Sequence, residues 1–236
     1  MPDYIALIKE KEEQQGLLDA RMQTDADLLL LRKYVLKDTQ SKPVRDIINI
    51  TLNKPALFAA NVISALGSTK QQTIVESDDK QLDTRKIEEF QEAAFASADA
   101  ILRRRLGQAQ LGPFADTQLC IRGRTARRVL FRMENQVLVP DIMPWDGRYV
   151  YFEVGGKGLK WAANKTTRSR AMIEAEYGFA PPAKEGKVID VWDAVHNEVW
   201  VDTKKVLEQE HFYGETPVVI TIVSLGYGDI LFDANR

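Results

Sequence analysis

The stretch Tyr149-Val-Tyr-Phe-Glu-Val-Gly-Gly-Lys-Gly-Leu-Lys-Trp161 decides how the second half of this 236-residue chain is read. Its Gly-Gly-Lys-Gly centre invites a phosphate loop. Such a loop needs GxxxxGK, then Ser or Thr, then a helix. Here Leu159, Lys160 and Trp161 follow, which fit the returning strand of a hairpin. The segment is therefore read as a β-hairpin turning at Gly155–Gly158, and the chain carries no recognisable ATP motor.

The first strand of this hairpin is the run 148–154; working outward, other strand-like runs surround it at 118–121, 128–133, 136–141, 187–195, 198–202 and 217–223. Turn dipeptides punctuate them at Glu134-Asn135, Asp146-Gly147 and His196-Asn197. One helix interrupts, from Ser169 to Tyr177, closed by Gly178 and then Pro181-Pro182.

Before residue 111 the periodicity is helical. Tyr4, Ile8, Leu18 and Met22 fit one apolar stripe, interrupted by the charged run from Lys9 to Glu13. Thr24 is expected to cap a second helix that buries Leu28 to Leu31 and Tyr34, with Asp25 and Asp27 near its positive end. Residues 44–52 leave helix and strand undecided. Asn53 and Pro55 open a helix to Leu66, with Gly67 as a left-handed cap; its lipophilic stretch Ala56 to Leu66 has the length of a core helix. A short strand is expected over 71–76, then a turn at Asp78-Asp79. The strongest helix follows, capped by Asp83 or Thr84, with Ile87, Phe90, Ala94, Ala98 and Ile101 on one face and Gly107 as its stop. The fold class is α+β: a helical segment over 1–110, then an antiparallel β-rich segment over 111–236, read as one continuous domain.

Apolar residues make up 44% and charged residues 28%, which places the chain among globular proteins and outside the disordered class. The formal charge of −2 divides evenly, with 16 basic and 17 acidic residues on each side of residue 110. Neither half is a polybasic nucleic-acid module by bulk charge. Cys120 is the only cysteine, so no internal disulfide forms. The start lacks a secretory pattern, and no run approaches the roughly 18 apolar residues of a membrane span. The expected compartment is cytoplasm, of a cell or of a host cell.

Catalytic sets are hard to assemble from these residues. His196 and His211 are the only histidines, without HExxH or CxxC partners, so no metal site is expected. Cys120 reads as a buried thiol in a strand, sharing a face with Arg122. The carboxylate pairs Asp25/Asp27, Asp78/Asp79 and Glu174/Glu176 sit at expected caps, turns or solvated faces. No catalytic residue, cofactor or metal is assigned, and the chain is read as a structural or binding protein rather than an enzyme.

One segment stands above background. Between residues 103 and 132 lie eight arginines (Arg103, Arg104, Arg105, Arg122, Arg124, Arg127, Arg128, Arg132) and a single acid, Asp116. That excess could face phosphates or an acidic neighbouring subunit, and arginine favours fixed, paired geometry.

Several phrases resemble the portal proteins of tailed bacteriophages, the ring-shaped head-to-tail connectors. They are Asp46-Ile-Ile-Asn-Ile50, Ala59-Ala-Asn-Val-Ile-Ser-Ala-Leu66, Leu119-Cys-Ile-Arg-Gly123, Arg128-Val-Leu-Phe131 and Asp141-Ile-Met-Pro-Trp-Asp146. The hairpin at 149–162, a helix ending Glu176-Tyr-Gly178, the segment 188–202, and His211-Phe-Tyr-Gly-Glu-Thr-Pro-Val-Val-Ile220 continue the likeness. It spans residues 25 to 225 and corresponds to the wing; portals continue into stem helices, clip and crown. The resemblance implies a homo-oligomer, a dodecameric ring at one capsid vertex, with double-stranded DNA passing through its channel. It also implies a packaging terminase, capsid or scaffold protein and head-completion adaptor as partners. The location would be the virion, and the host cytoplasm during assembly. No individual DNA contact is carried over; the arginines are then read as subunit-interface or channel charges. The alternative is a small nucleic-acid-binding module using the Arg103–Arg132 segment.

Overall fold

Asp3 opens the first helix by accepting a hydrogen bond from the Ala6 amide at 3.1 Å. Helix α1 (Tyr4–Leu29) then runs unbroken through Thr24. In the computed structural model, which describes residues 3–32, 35–40, 42–44, 47, 52–69, 74–79, 81, 83–107 and 110–223, helices α2 (Lys54–Ser68) and α3 (Thr84–Ile101) follow. A π-helical turn (Leu102–Leu106) ends α3 at Gly107, whose left-handed φ of +61° suits glycine. Helix α4 (Leu111–Arg122) leads into the strands.

Strands β1 (Arg124–Glu134) and β2 (Val137–Trp145) form a hairpin, and β8 (Val218–Ile222) pairs with β1 on its other side, giving a three-stranded sheet ordered β2-β1-β8. The second sheet is a five-stranded antiparallel meander of β3 (Val150–Gly155), β4 (Gly158–Ser169), β5 (Glu185–Asp193), β6 (His196–Val201) and β7 (Lys204–Glu210). The β3–β4 hairpin turns at Gly156-Lys157, as expected for the glycine-rich stretch. Helix α5 (Arg170–Tyr177) interrupts between β4 and β5.

Alternation along the strands sends side chains to two different neighbours. Ala162 of β4 and Trp192 of β5 face the three-stranded sheet, packing with Ala126, Leu130, Trp145 and Val218. Trp161, Ala163, Ile189 and Val191 face the opposite way and meet Tyr4 and Ile8 of α1. The Tyr4 hydroxyl donates to Asp193 at 2.6 Å, fixing the start of α1 to the end of β5. Behind the smaller sheet, Ala98, Leu102 and Leu111 close over Ile142. The fold is thus α+β, with helices α4 and α5 embedded in the β-rich half.

Helix α5 is held at both ends by local chemistry. The Ser169 hydroxyl accepts from the Met172 amide, and Gly178, at φ +65°, returns its amide to Glu174 at 2.9 Å. Ser169→Ala is expected to cost about 1 kcal/mol. A chemical denaturation midpoint unchanged from the parent would refute this.

Several sequence expectations are corrected. Residues 118–121 are helical, not a strand: α4 gains a distant cap when the Asp99 carboxylate accepts from the Leu111 amide at 2.7 Å, and Gly123, at φ +69°, ends it. Thr24 caps nothing; its hydroxyl donates back to the Ala20 carbonyl within α1, and Leu28, Leu30 and Leu31 stay exposed. Tyr34 lies outside the described residues. Gly67 falls inside α2, which stops at Thr69 instead. Residues 74–76 form no strand and 71–73 lie outside the described residues, as does most of 44–52. Asp146-Gly147 leads into a 3-10 turn rather than a hairpin. His196 and Asn197 begin β6, and the bend lies at Ala194-Val195. Strand β7 was not expected.

Candidate functional site

The arginines between 103 and 132 do not form one surface. Arg124 starts β1 directly after the Gly123 cap and is only 4% exposed. Its Nε donates to the Gly147 carbonyl at 2.7 Å, and Nη2 to Gln15 Oε1 at 3.2 Å and the Val150 carbonyl at 3.3 Å. Burial pulls its pKa below the ordinary arginine value, and the nearby Asp19 carboxylate opposes that shift. Gly147 is required there, because a Cβ would sit 2.6 Å from the Arg124 carbonyl oxygen.

Arg128 bridges the two sheets. From β1 it pairs with Asp141 of β2 at 3.1 Å and Asp190 of β5 at 3.5 Å, with its guanidinium over the Trp192 ring. Asp141 also accepts Arg132 Nε at 3.4 Å. The buried Asp190 carboxyl is pushed above the ordinary carboxylate range by desolvation, which Arg128 and a hydrogen bond from Asn197 at 2.7 Å counter. Arg122, at the last turn of α4, donates to the Met22 carbonyl and pairs with Asp146 at 3.3 Å. Arg127 lies over the Phe95 ring. The reading of all eight as interface or channel charges is therefore corrected for Arg122, Arg124 and Arg128, whose charges are satisfied within the chain. Arg103 and Arg104 are exposed, Arg132 half so; the Arg105 side chain lies outside the described part of the structure.

The other candidates are dispersed. Cys120 lies on α4 rather than a strand, and burial pushes its thiol pKa up, away from the thiolate a nucleophile needs. His196 Nδ1 stands 3.6 Å from Asp193, while His211 is wedged between Trp192 and Tyr213 with Nε2 3.1 Å from the Asp193 carbonyl. Asp25 and Asp27 sit inside α1, not at a helix start, and Asp27 pairs with Arg32. Among the described residues, no three His, Cys, Asp or Glu side chains converge as a metal ion would need. No described helix is long and apolar enough to cross a membrane.

What sequence reasoning missed is the exposure of α2, a helix it expected in the core. Its stretch Lys54-Pro-Ala-Leu-Phe-Ala-Ala-Asn-Val-Ile-Ser-Ala-Leu-Gly-Ser68 carries one charge, yet none of its residues is buried. Leu57 is 54% exposed and Phe58 70%. Helix α3 adds Phe90 and Phe95, both exposed, and Phe90 stacks on the exposed Phe131 of β1. The signal was present in the sequence, but an apolar helix with a single charge is ordinarily read as core.

No protein-family model matches this chain. No curated protein is similar to it. What the residues offer is an arginine-tied β framework carrying an apolar helix that rests on α4 through the half-buried Ala56, Ala59, Val62 and Ile63 and leaves Leu57, Phe58 and Leu66 exposed.

Proposed function

We propose that this chain is a structural virion protein, the wing part of a bacteriophage portal subunit that works by assembling into a ring. The observation that carries the reading is α2, an apolar helix with a single charge and no buried residue. An apolar face of this kind costs free energy in water until a neighbour covers it. In a ring each copy offers one face and covers another, a head-to-tail arrangement that closes on itself. The family likeness along residues 25 to 225 supplies the ring, the capsid vertex and the DNA channel as expectations. The reading leaves the chemistry to partners and assigns the chain no catalytic residue.

The rival, a small nucleic-acid module built on Arg103–Arg132, draws less support, because Arg122, Arg124 and Arg128 are committed inside the chain. The test is mass photometry with negative-stain imaging over a range of concentrations. Closed rings of about a dozen copies are expected for a head-to-tail interface of one type. A double change, Leu57→Glu with Phe58→Glu, is expected to abolish them while leaving the circular dichroism spectrum intact, since both side chains are exposed. Rings that survive this change would move the interface elsewhere. A monomer at every concentration that binds DNA and releases it steeply in salt would favour the rival.

A further inference from the structure

The stripe that α1 turns toward the five-stranded sheet changes character along its length. Tyr4 and Ile8 are buried on the apolar sheet face, and Met22 and Ala26 are buried beyond it. Between them the same side of the helix carries Glu12, Gln15 and Asp19. Opposite, the strand face that begins apolar with Trp161, Ala163, Ile189 and Val191 becomes polar with Lys165, Thr167 and Lys187, the last two directly paired across β4 and β5. The two polar stretches leave a cavity of about 480 Å³ between helix and sheet, with Tyr151 on its floor and Arg148 at its rim.

The charges around this cavity do not cancel. Glu12 is ion-paired with Lys165. Asp19 is flanked by Arg124, which is buried behind the cavity, and by Arg148. Along the cavity wall, three cations (Arg148, Lys165 and Lys187) therefore stand against two carboxylates (Glu12 and Asp19). Arg148 is hydrogen-bonded to the neutral Gln23 side chain. Among the described residues, neither the Arg148 guanidinium nor the Lys187 ammonium forms an ion pair within 4.0 Å; Asp146 and Asp202 accept from the two backbone amides instead. An uncancelled pair of cations beside a threonine hydroxyl suits an oxyanion, which accepts charge-assisted hydrogen bonds from all three. A second observation gives the ligand its other end: Asp19 Oδ1 is buried without a hydrogen-bond donor, a state that leaves an acceptor to be met by a ligand hydroxyl.

We propose that the cavity between α1 and the five-stranded sheet binds a phosphate ester bearing a free hydroxyl, with the phosphate between Lys187, Thr167 and Arg148 and the hydroxyl on Asp19. The site is independent of the assembly reading, since none of these residues lies on α2. The group bound comes from a small phosphorylated metabolite or from an RNA strand, whose 2′-hydroxyl stands beside each backbone phosphate.

Isothermal titration of the full chain with ribose 5-phosphate tests this. Saturable one-to-one binding is expected, displaced by inorganic phosphate and weakened about tenfold or more by Lys187→Glu, which reverses one charge-assisted contact. Lys187 is exposed, so the variant keeps the fold. Lys157→Glu, at the β3–β4 turn and outside the cavity, makes the same change of net charge and is expected to leave binding unchanged. Displacement of the ester by a short oligoribonucleotide would assign the phosphate to a strand; its failure to displace would assign it to a free ester. No saturable binding, or equal weakening by both lysine variants, would overturn the proposal.

Discussion

Arg124→Ala is expected to lower the unfolding free energy by about 3–5 kcal/mol, because a buried guanidinium that serves three neutral acceptors is removed. The guanidinium reaches three elements at once: Gln15 of α1, the Gly147 carbonyl of the 3-10 turn, and the Val150 carbonyl opening β3. Truncation leaves these buried acceptors without a donor, and each such loss costs roughly 1–3 kcal/mol before relaxation. It also removes a cation beside Asp19, whose carboxyl burial already pushes above its ordinary pKa. Arg124→Lys is expected to recover only part of the loss, because an ammonium cannot reproduce a fork that serves Nε and Nη2 partners in different directions. Urea denaturation with an unchanged slope measures both. A loss under about 1 kcal/mol for the alanine variant would mean that water replaces the guanidinium at these acceptors.

The second large effect is expected at Arg128, and it depends on pH. Arg128→Leu keeps much of the apolar stem packed against Trp192 but leaves Asp190 with Asn197 as its hydrogen-bond donor. At neutral pH a loss of about 3–5 kcal/mol is expected, since an ionised carboxylate is then buried without its cation. Asp190 already titrates above the ordinary carboxylate range in the folded chain, because of burial. Below the unfolded value, about 3.9, it is neutral in both states and contributes no pH dependence. As pH rises past that value the unfolded chain releases its proton first, so stability falls until the folded group ionises too. Without Arg128 that fall is deeper and extends to higher pH. Of the other charged groups that face Asp190, Arg168 lies further off and is ion-paired with Glu176, while Asp141 keeps Arg132. The penalty of Arg128→Leu is therefore expected to shrink markedly between about pH 7 and about pH 4.5. Adding Asp190→Asn should restore stability at neutral pH and flatten the profile. An equal penalty at both pH values would show that Arg128 acts through packing alone.

These two arginines also mark how far the sequence could be read. The basic segment was visible from its spacing, and the hairpin around Gly156-Lys157 from its turn chemistry. What could not be read was which way the guanidiniums point. The partners of Arg122, Arg124 and Arg128 come from far along the chain: Met22, Gln15, Gly147 and Asp190. Helix α4 was hidden for the same reason. Gly112, Pro113 and the apolar Leu119-Cys-Ile121 argue locally against a helix, while the cap that permits it is Asp99 on α3. Strand β7, Lys204-Lys-Val-Leu-Glu-Gln-Glu210, is an edge strand whose charged residues blunt the alternation that identifies strands. Helix α2 failed in the opposite direction, since its composition says core and its position says surface.

The place of β8 has a consequence for how the molecule forms. Strand β1 lies between β2, reached through a two-residue turn, and β8, whose paired residues come roughly ninety positions later. The first pairing closes a short loop; the second must bring together distant parts of the chain and bears the larger entropy of loop closure. During synthesis, β1 and β2 therefore emerge as a two-stranded ribbon backed on one side by α3 and α4 and still lacking its third strand. The meander from β3 to β7 joins only sequential neighbours and can settle meanwhile. Completion of the smaller sheet, and with it the core shared by Ala126, Trp192 and Val218, waits for the last of these strands, so refolding should show a fast phase for the meander and a slower one for the closing of β8.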